Sequence, residues 1–472
     1  LLVKILKLCN DIRSVKKLFI IIVVVGIFLR LHNFWLFPVG GETNDEFAWT
    51  FLGASLIKTG TPTSWSYFLA YQDFELVNWA ETEFRLVTPV LDHPPLFGLI
   101  PGSLVTLTGN FWKQLPSIKL IRAPMVLLVA INLILFAYWL WRLPVSKVWK
   151  TVSLFIFSTA PSWVFLSRLT MSESLLLTWM LAIAVILQSK FKWKSMAIFL
   201  LHLCLPLTKM SGLVIGAASV AMIFFNEDWK NLFKHALLGL VSGLFLWIVY
   251  AFYYDINLWW SVQFSQTQRG TGLANLYNSF LWRPVMITRV FYDPWNWLGH
   301  ISAGVWVAQS IGSAKIDNWR RWWGLIWLSM WIFLLISVGE NVTHGWYQIV
   351  MWPMMALSLG AAADWLWQKK SWWGLAIITM LMALPLRTGL YYLFEKSLFL
   401  FQANLQRVWM LVVGALVYFG LKKVNNKKLF KYVSLGLLLV VAVSHVLTIT
   451  HIDKWAYWAD DVAYKNQLIP PY

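Results

Sequence analysis

Thirteen apolar stretches, separated by short charged links, restrict this 472-residue chain to one kind of environment. They run at about residues 18–37, 122–141, 149–167, 173–188, 194–208, 211–225, 236–254, 297–313, 322–339, 345–366, 372–388, 398–421 and 433–450. Roughly 20 apolar residues in a helix cross about 30 Å of hydrocarbon, and only a helix satisfies its own backbone there without closing into a barrel. Charged residues make up 13% of the chain, against about 25% in soluble proteins. The expected fold is therefore an all-α polytopic membrane protein with about 13 transmembrane helices. No small-residue cleavage site follows the first run, so 18–37 is expected to be retained rather than removed as a signal peptide.

Lys and Arg exceed Asp and Glu by 39 to 21. In a soluble chain that excess would suggest nucleic acid, but no basic-helix or zinc-finger pattern supports such a partner. Cationic cytoplasmic loops and anionic lipid headgroups explain it instead. Trp, Tyr and Phe form 17% of the residues, as bilayer interfaces favour. Cys9 and Cys204 are far apart and imply neither a disulfide framework nor a thiolate metal site.

The basic links orient the chain. Lys4, Lys7, Arg13, Lys16 and Lys17 place the N-terminus in the cytoplasm, and the clusters at 142–150, 190–194, 320–321, 369–370 and 422–431 join it there. All of them fit only if the run 94–111, broken by Pro94, Pro95, Pro101 and Gly102, does not cross. Residues 38–121 then form a large external loop with juxtamembrane helices, and 255–296 form a second. Between 38 and 95 the first loop carries eight acids against Lys58 and Arg85.

Four polar elements fall on that outer face: Asp45-Glu46, Asp92-His93-Pro94-Pro95-Leu96, Ser167-Arg168 through Glu173, and Thr208-Lys209-Met210-Ser211-Gly212. Ionisable groups at membrane depth cost from about 2.5 kcal/mol each and usually mark function. Each also has a plainer reading. Asp45-Glu46 and Glu173 suit the first turn of a helix, Lys209 suits a headgroup contact, His93 suits packing, and Arg168 suits the anchoring of a loop.

The order Asp45-Glu46-x-x-Trp49, Pro94-Pro95-Leu96, Arg122-Ala123-Pro124, Ser167-Arg168-Leu169 with Glu173, and Thr208-Lys209 with Gly212 resembles the GT-C membrane glycosyltransferases. Within these it is similar to the dolichyl-phosphate-mannose protein mannosyltransferases and the lipid A aminoarabinose transferases (glycosyltransferase family 39). The likeness covers about residues 18–225 and returns at His344-Gly345-Trp346-Tyr347-Gln348. It implies an inverting transfer of a sugar from a polyprenyl-phosphate donor to a hydroxyl or phosphate acceptor on a protein, glycolipid or cell-wall glycan. The same likeness implies a multi-pass protein of a prokaryotic inner membrane with its active site outside.

By that resemblance Asp45 is the general base, with Glu46 its neighbour and Glu173 a second acid. Lys209 and Arg168 are then the first cations for the phosphate, with His93, His344 and Tyr347 beside them. No cofactor follows with certainty; a divalent cation (Mg, Mn or Zn) on Asp45 and Glu173 is the one candidate. The chain departs from its relatives at Ala48, where some carry Arg, and at His93, where many carry Lys. No soluble C-terminal domain of the kind some possess is expected. A transporter or flippase of lipid-linked sugars, an oligosaccharide ligase or polymerase, and an inactive assembly partner remain as alternatives.

Overall fold

The computed structural model describes residues 12–38, 43–79, 82–109, 116–267, 294–311, 317–338, 345–372, 374–376, 415, 419 and 427–451. The expected spans at 372–388 and 398–421, and most of the loop 255–296, lie outside the described residues. The remaining expected spans correspond to helices. These are α1 (Ile12–Leu31), α4 (Ile118–Arg142), α5 (Lys147–Thr159), α6 (Pro161–Leu166), α7 (Ser172–Leu187), α8 (Lys194–Thr208), α9 (Met210–Phe225), α10 (Phe233–Tyr254), α12 (Pro294–Ile311), α13 (Asn318–Phe333), α14 (Trp352–Lys369) and α15 (Lys427–His451). Four of the described helical stretches are long and apolar enough to cross a bilayer, and three shorter helices are equally apolar. The protein is a multi-pass membrane protein.

One expected span, 149–167, is in fact two helices. Pro161 opens α6 and holds Ala160 in an extended conformation (φ −58°, ψ 121°). Proline supplies no N–H, so Phe157 loses the helical donor to its carbonyl. Arg30, near the end of α1, supplies one instead: its Nη2 donates to Phe157 O at 3.1 Å and its Nη1 to Ser158 O. The exchange is reciprocal. Arg168, in the link from α6 to α7, donates to Leu29 O (2.6 Å), His32 O (2.8 Å) and Phe37 O (2.7 Å), filling acceptors that the end of α1 exposes.

Residues 43–109 form a cap over the end of the bundle. It holds α2 (Asp45–Thr59), β1 (Ser64–Trp65), β2 (Glu75–Trp79), β3 (Thr82–Val87) and α3 (Leu99–Leu107). At nine residues α3 is about 13 Å long, too short to cross. The strands make an antiparallel sheet of order β1-β3-β2, with Ser64 opposite Val87 and Glu75 opposite Leu86. The expectation of helices alone in this loop omitted that sheet. Helices α2 and α3 cross at glycines: a Cβ on Gly53 would lie 1.8 Å from Gly98 O. Beneath the cap, Trp49, Leu52, Phe68, Tyr71, Val87, Val90 and Phe97 pack onto Met125, Leu128 and Leu175 of α4 and α7. A short helix after α10, α11 (Ile256–Thr267), closes over its side: Gln263 donates to Leu91 O (3.0 Å) and Gln266 to Asp92 O (3.1 Å).

Candidate functional site

The cap, the α6–α7 link and the α8–α9 link meet, and two ion pairs join them. The first starts at the N-terminus of α2. Asp45 and Glu46 occupy its first turn, where carboxylates suit the helix dipole, but successive helical residues are turned about 100° apart. Asp45 stays half-buried, its N–H donating to Thr43 Oγ1 at 3.2 Å. Glu46 is fully buried. Its carboxylate accepts from Arg122 Nε (2.8 Å) and Nη2 (2.7 Å), and from the Thr170 N–H (2.9 Å). Arg122 continues to the carbonyls of Phe34 and Pro38.

A bidentate guanidinium pair of this kind is strong and directional, and it spends both oxygens of Glu46. Glu46, expected to act beside Asp45, is held by Arg122 and the Thr170 N–H and clamps α2 to α4 and to the α6–α7 link.

The second pair lies one link further on. Lys209 is the single residue between α8 and α9, fully extended at φ −167°, ψ 158°. That tight junction depends on Gly212, where a Cβ would sit 2.1 Å from Leu205 O. Lys209 Nζ donates to Glu173 Oε1 at 2.6 Å and lies 4.8 Å from the centre of the Tyr347 ring. Ser172 Oγ reaches Glu173 Oε2 at 3.3 Å. Burial alone would pull the Lys209 ammonium below the ordinary lysine value. Glu173, then Tyr347 and Asp45, more than reverse that, and the ammonium is held above it. Asp45, Glu173, Lys209 and Tyr347 therefore share one electrostatic site.

The other expected residues divide. His93 stacks on Trp49, ring centres 4.7 Å apart and planes within 15°, one helical turn beyond Asp45. Its neighbour Asp92 accepts from Ser66 Oγ (2.8 Å) and the Tyr71 hydroxyl, while Tyr71 accepts from the Leu91 N–H (2.7 Å). Burial and then Asp92 raise the Tyr71 pKa, so the phenol stays a donor. Arg168 is buried and spent on the end of α1, so its plainer reading, an anchor, is what the geometry gives it. His344 lies outside the described residues.

The donor set does not fit a divalent ion on Asp45 and Glu173. Among the described residues no group of three potential ligands gathers, and an ion held by one or two carboxylates leans on waters and substrate phosphate for the rest of its shell. The Lys209 ammonium already stands at 2.6 Å from Glu173, where such an ion would bind.

Sequence reasoning missed the role of Arg122, although it quoted the residue. An arginine near the start of an apolar helix, 76 residues after the acidic pair, was the available signal. It missed Gln263 and Gln266 altogether, since neutral amides near a helix end carry no distinctive pattern.

No protein-family model matches the sequence, and no curated protein matches it. The fold does have solved counterparts. One is ArnT from Cupriavidus metallidurans bound to undecaprenyl phosphate, with TM-score 0.54 and 14% identity over 98% of this chain and 82% of that one. Another is the oligosaccharyltransferase of Archaeoglobus fulgidus in its apo form, with TM-score 0.50 and 11% identity over 98% of this chain and 60% of that one. The chain has the GT-C fold.

Proposed function

We infer that this protein is an inverting glycosyltransferase that uses a polyprenyl-phosphate-linked sugar. The observation that carries the reading is the convergence of Asp45, Glu173, Lys209 and Tyr347 at one end of a GT-C helical bundle. The likeness to a protein crystallised with undecaprenyl phosphate supports the lipid carrier.

In this mechanism Asp45 accepts the proton of an acceptor hydroxyl as its oxygen attacks the anomeric carbon. A positioned carboxylate contributes roughly 10²–10⁴-fold to such a step. The bond from that carbon to the phosphate oxygen breaks, its electron pair leaves with the polyprenyl phosphate, and the configuration inverts. Lys209 offers its positive charge to the departing phosphate, where a preorganised cation acts most strongly. Glu173 holds the ammonium in place, and Tyr347 covers it. His93, stacked on Trp49, is the next candidate to contact the donor. The cap lies outside the cytoplasm, in the orientation that the basic links require, so the lipid arrives from the outer leaflet. The acceptor is a hydroxyl or phosphate of a protein, glycolipid or cell-wall glycan.

Purified protein in nanodiscs, supplied with a panel of polyprenyl-phosphate sugars and acceptors, is expected to release polyprenyl phosphate. Asp45→Asn is expected to stop that release while the protein stays folded. Full turnover by Asp45→Asn removes Asp45 from this role, and lack of release from every donor overturns the reading.

A further inference from the structure

Tyr347 reaches the site from a run that has little of its own to hold it. Residues Gly345–Met351 form a 3-10 helix, whose hydrogen bonds are poorer than those of an α-helix. The next residue, Gln348, is fully buried and points its carbonyl at α12. Gln348 Oε1 accepts from Asn296 Nδ2 at 2.7 Å and from His300 Nε2 at 3.0 Å. His300 Nδ1 meets Trp327 Nε1 and Trp331 Nε1, each at 3.3 Å.

An indole N–H only donates, so Nδ1 of His300 is the acceptor and Nε2 carries the hydrogen. The tautomer is set by two tryptophans of α13, and the donor aimed at Gln348 follows from it. A bridging amide in a core normally spends both ends. This one spends its carbonyl twice, while Nε2 has no hydrogen-bond partner among the described residues. Among the described residues, its side-chain hydrogen bonds come from the α12 side alone.

We propose that Asn296 and His300 are positioning residues: by saturating the Gln348 carbonyl they fix the 345–351 run so that the Tyr347 ring stays against the Lys209 ammonium. For substrate turnover this rests on the glycosyl-transfer reading above; for geometry it does not.

The test places 3-fluorotyrosine at position 347 alone and records its ¹⁹F resonance in nanodiscs, with Lys209→Met as the reference for a ring that has lost its cation. Asn296→Leu and His300→Phe are expected to move the resonance toward that reference and to weaken binding of undecaprenyl phosphate about ten-fold, the cost of one misplaced contact. His300→Gln, which keeps a donor and an acceptor, is expected to restore both. A wild-type resonance in folded Asn296→Leu and His300→Phe overturns the proposal, even if binding falls. If either deletion fails to fold, Gln348→Met decides: it removes the carbonyl without burying a charge, so the proposal requires the resonance to move, and an unmoved one overturns it. Wild-type protein that binds no undecaprenyl phosphate sinks the glycosyl-transfer reading and leaves the resonance to judge the positioning.

Discussion

Two acid–base pairs lie on the same end of this bundle, and they differ in what surrounds them. Glu46 and Arg122 are both fully enclosed and meet through two parallel hydrogen bonds. Glu173 and Lys209 meet through one, at 2.6 Å, and the lysine side chain keeps 12% of its surface. The first pair is walled in by backbone, with the Thr170 N–H and the carbonyls of Phe34 and Pro38 completing its shell. The second is bordered by groups that can act on another molecule, Asp45 and Tyr347. The same pairing of charges is thus walled in by backbone in one place and bordered by side chains in the other.

The sharpest way to break this comparison is to remove one charge from each pair. Arg122→Leu leaves Glu46 sealed and alone, which costs about 3–5 kcal/mol. The expected outcome is loss of the monodisperse peak in detergent size-exclusion chromatography. Lys209→Met is expected to remain folded, with turnover of a polyprenyl-phosphate sugar lower by roughly 10²–10³-fold. Comparable damage from both substitutions to folding alone would erase the distinction.

A finer test keeps the charge and changes its shape. Arg122→Lys loses the fork and is expected to cost about 1–3 kcal/mol, read as a lower thermal midpoint. Gly212→Ala pushes a methyl against Leu205 O and is expected to cost about 1–3 kcal/mol. It should reduce turnover more than Arg122→Lys does, because the strain falls at Lys209.

The smallest effect expected is on pH dependence. A pKa raised in the folded state adds stability that is complete below the unfolded value, about 10.4 for lysine, and lost as pH climbs through the folded one. Thermal midpoints of wild type and Lys209→Met are therefore expected to keep a constant gap from pH 6 to 9, and to converge only above the ordinary lysine value.

Much of this architecture was readable from residues because membranes impose coarse rules. Apolar length marks the helices, and the basic links favour a threading in which 94–111 stays on one face; α3, the helix described there, has nine residues. The sheet went unread because a search for 20-residue apolar runs passes over Glu75–Trp79 and Thr82–Val87, whose alternation belongs to short strands. At the site, the order of Asp45, Glu173 and Lys209 was legible. Which of two adjacent acids is sealed by an arginine was not, since a rotation of about 100° decides it and Arg122, 76 residues later, pairs with Glu46. Arg168 was ambiguous for a related reason: five N–H donors suit three backbone carbonyls as well as they suit a phosphate.

The mutual exchange between Arg30 and Arg168 bears on how the chain is made. Each arginine completes the other's helix end, yet 138 positions separate them in order of synthesis. A nascent chain that ends soon after α1 offers Gly26 O to one Arg30 N–H, but the acceptors at Phe157 and Ser158 and the donors of Arg168 are not yet made. The two helix ends therefore gain these partners only once α5 and the link after α6 have been made.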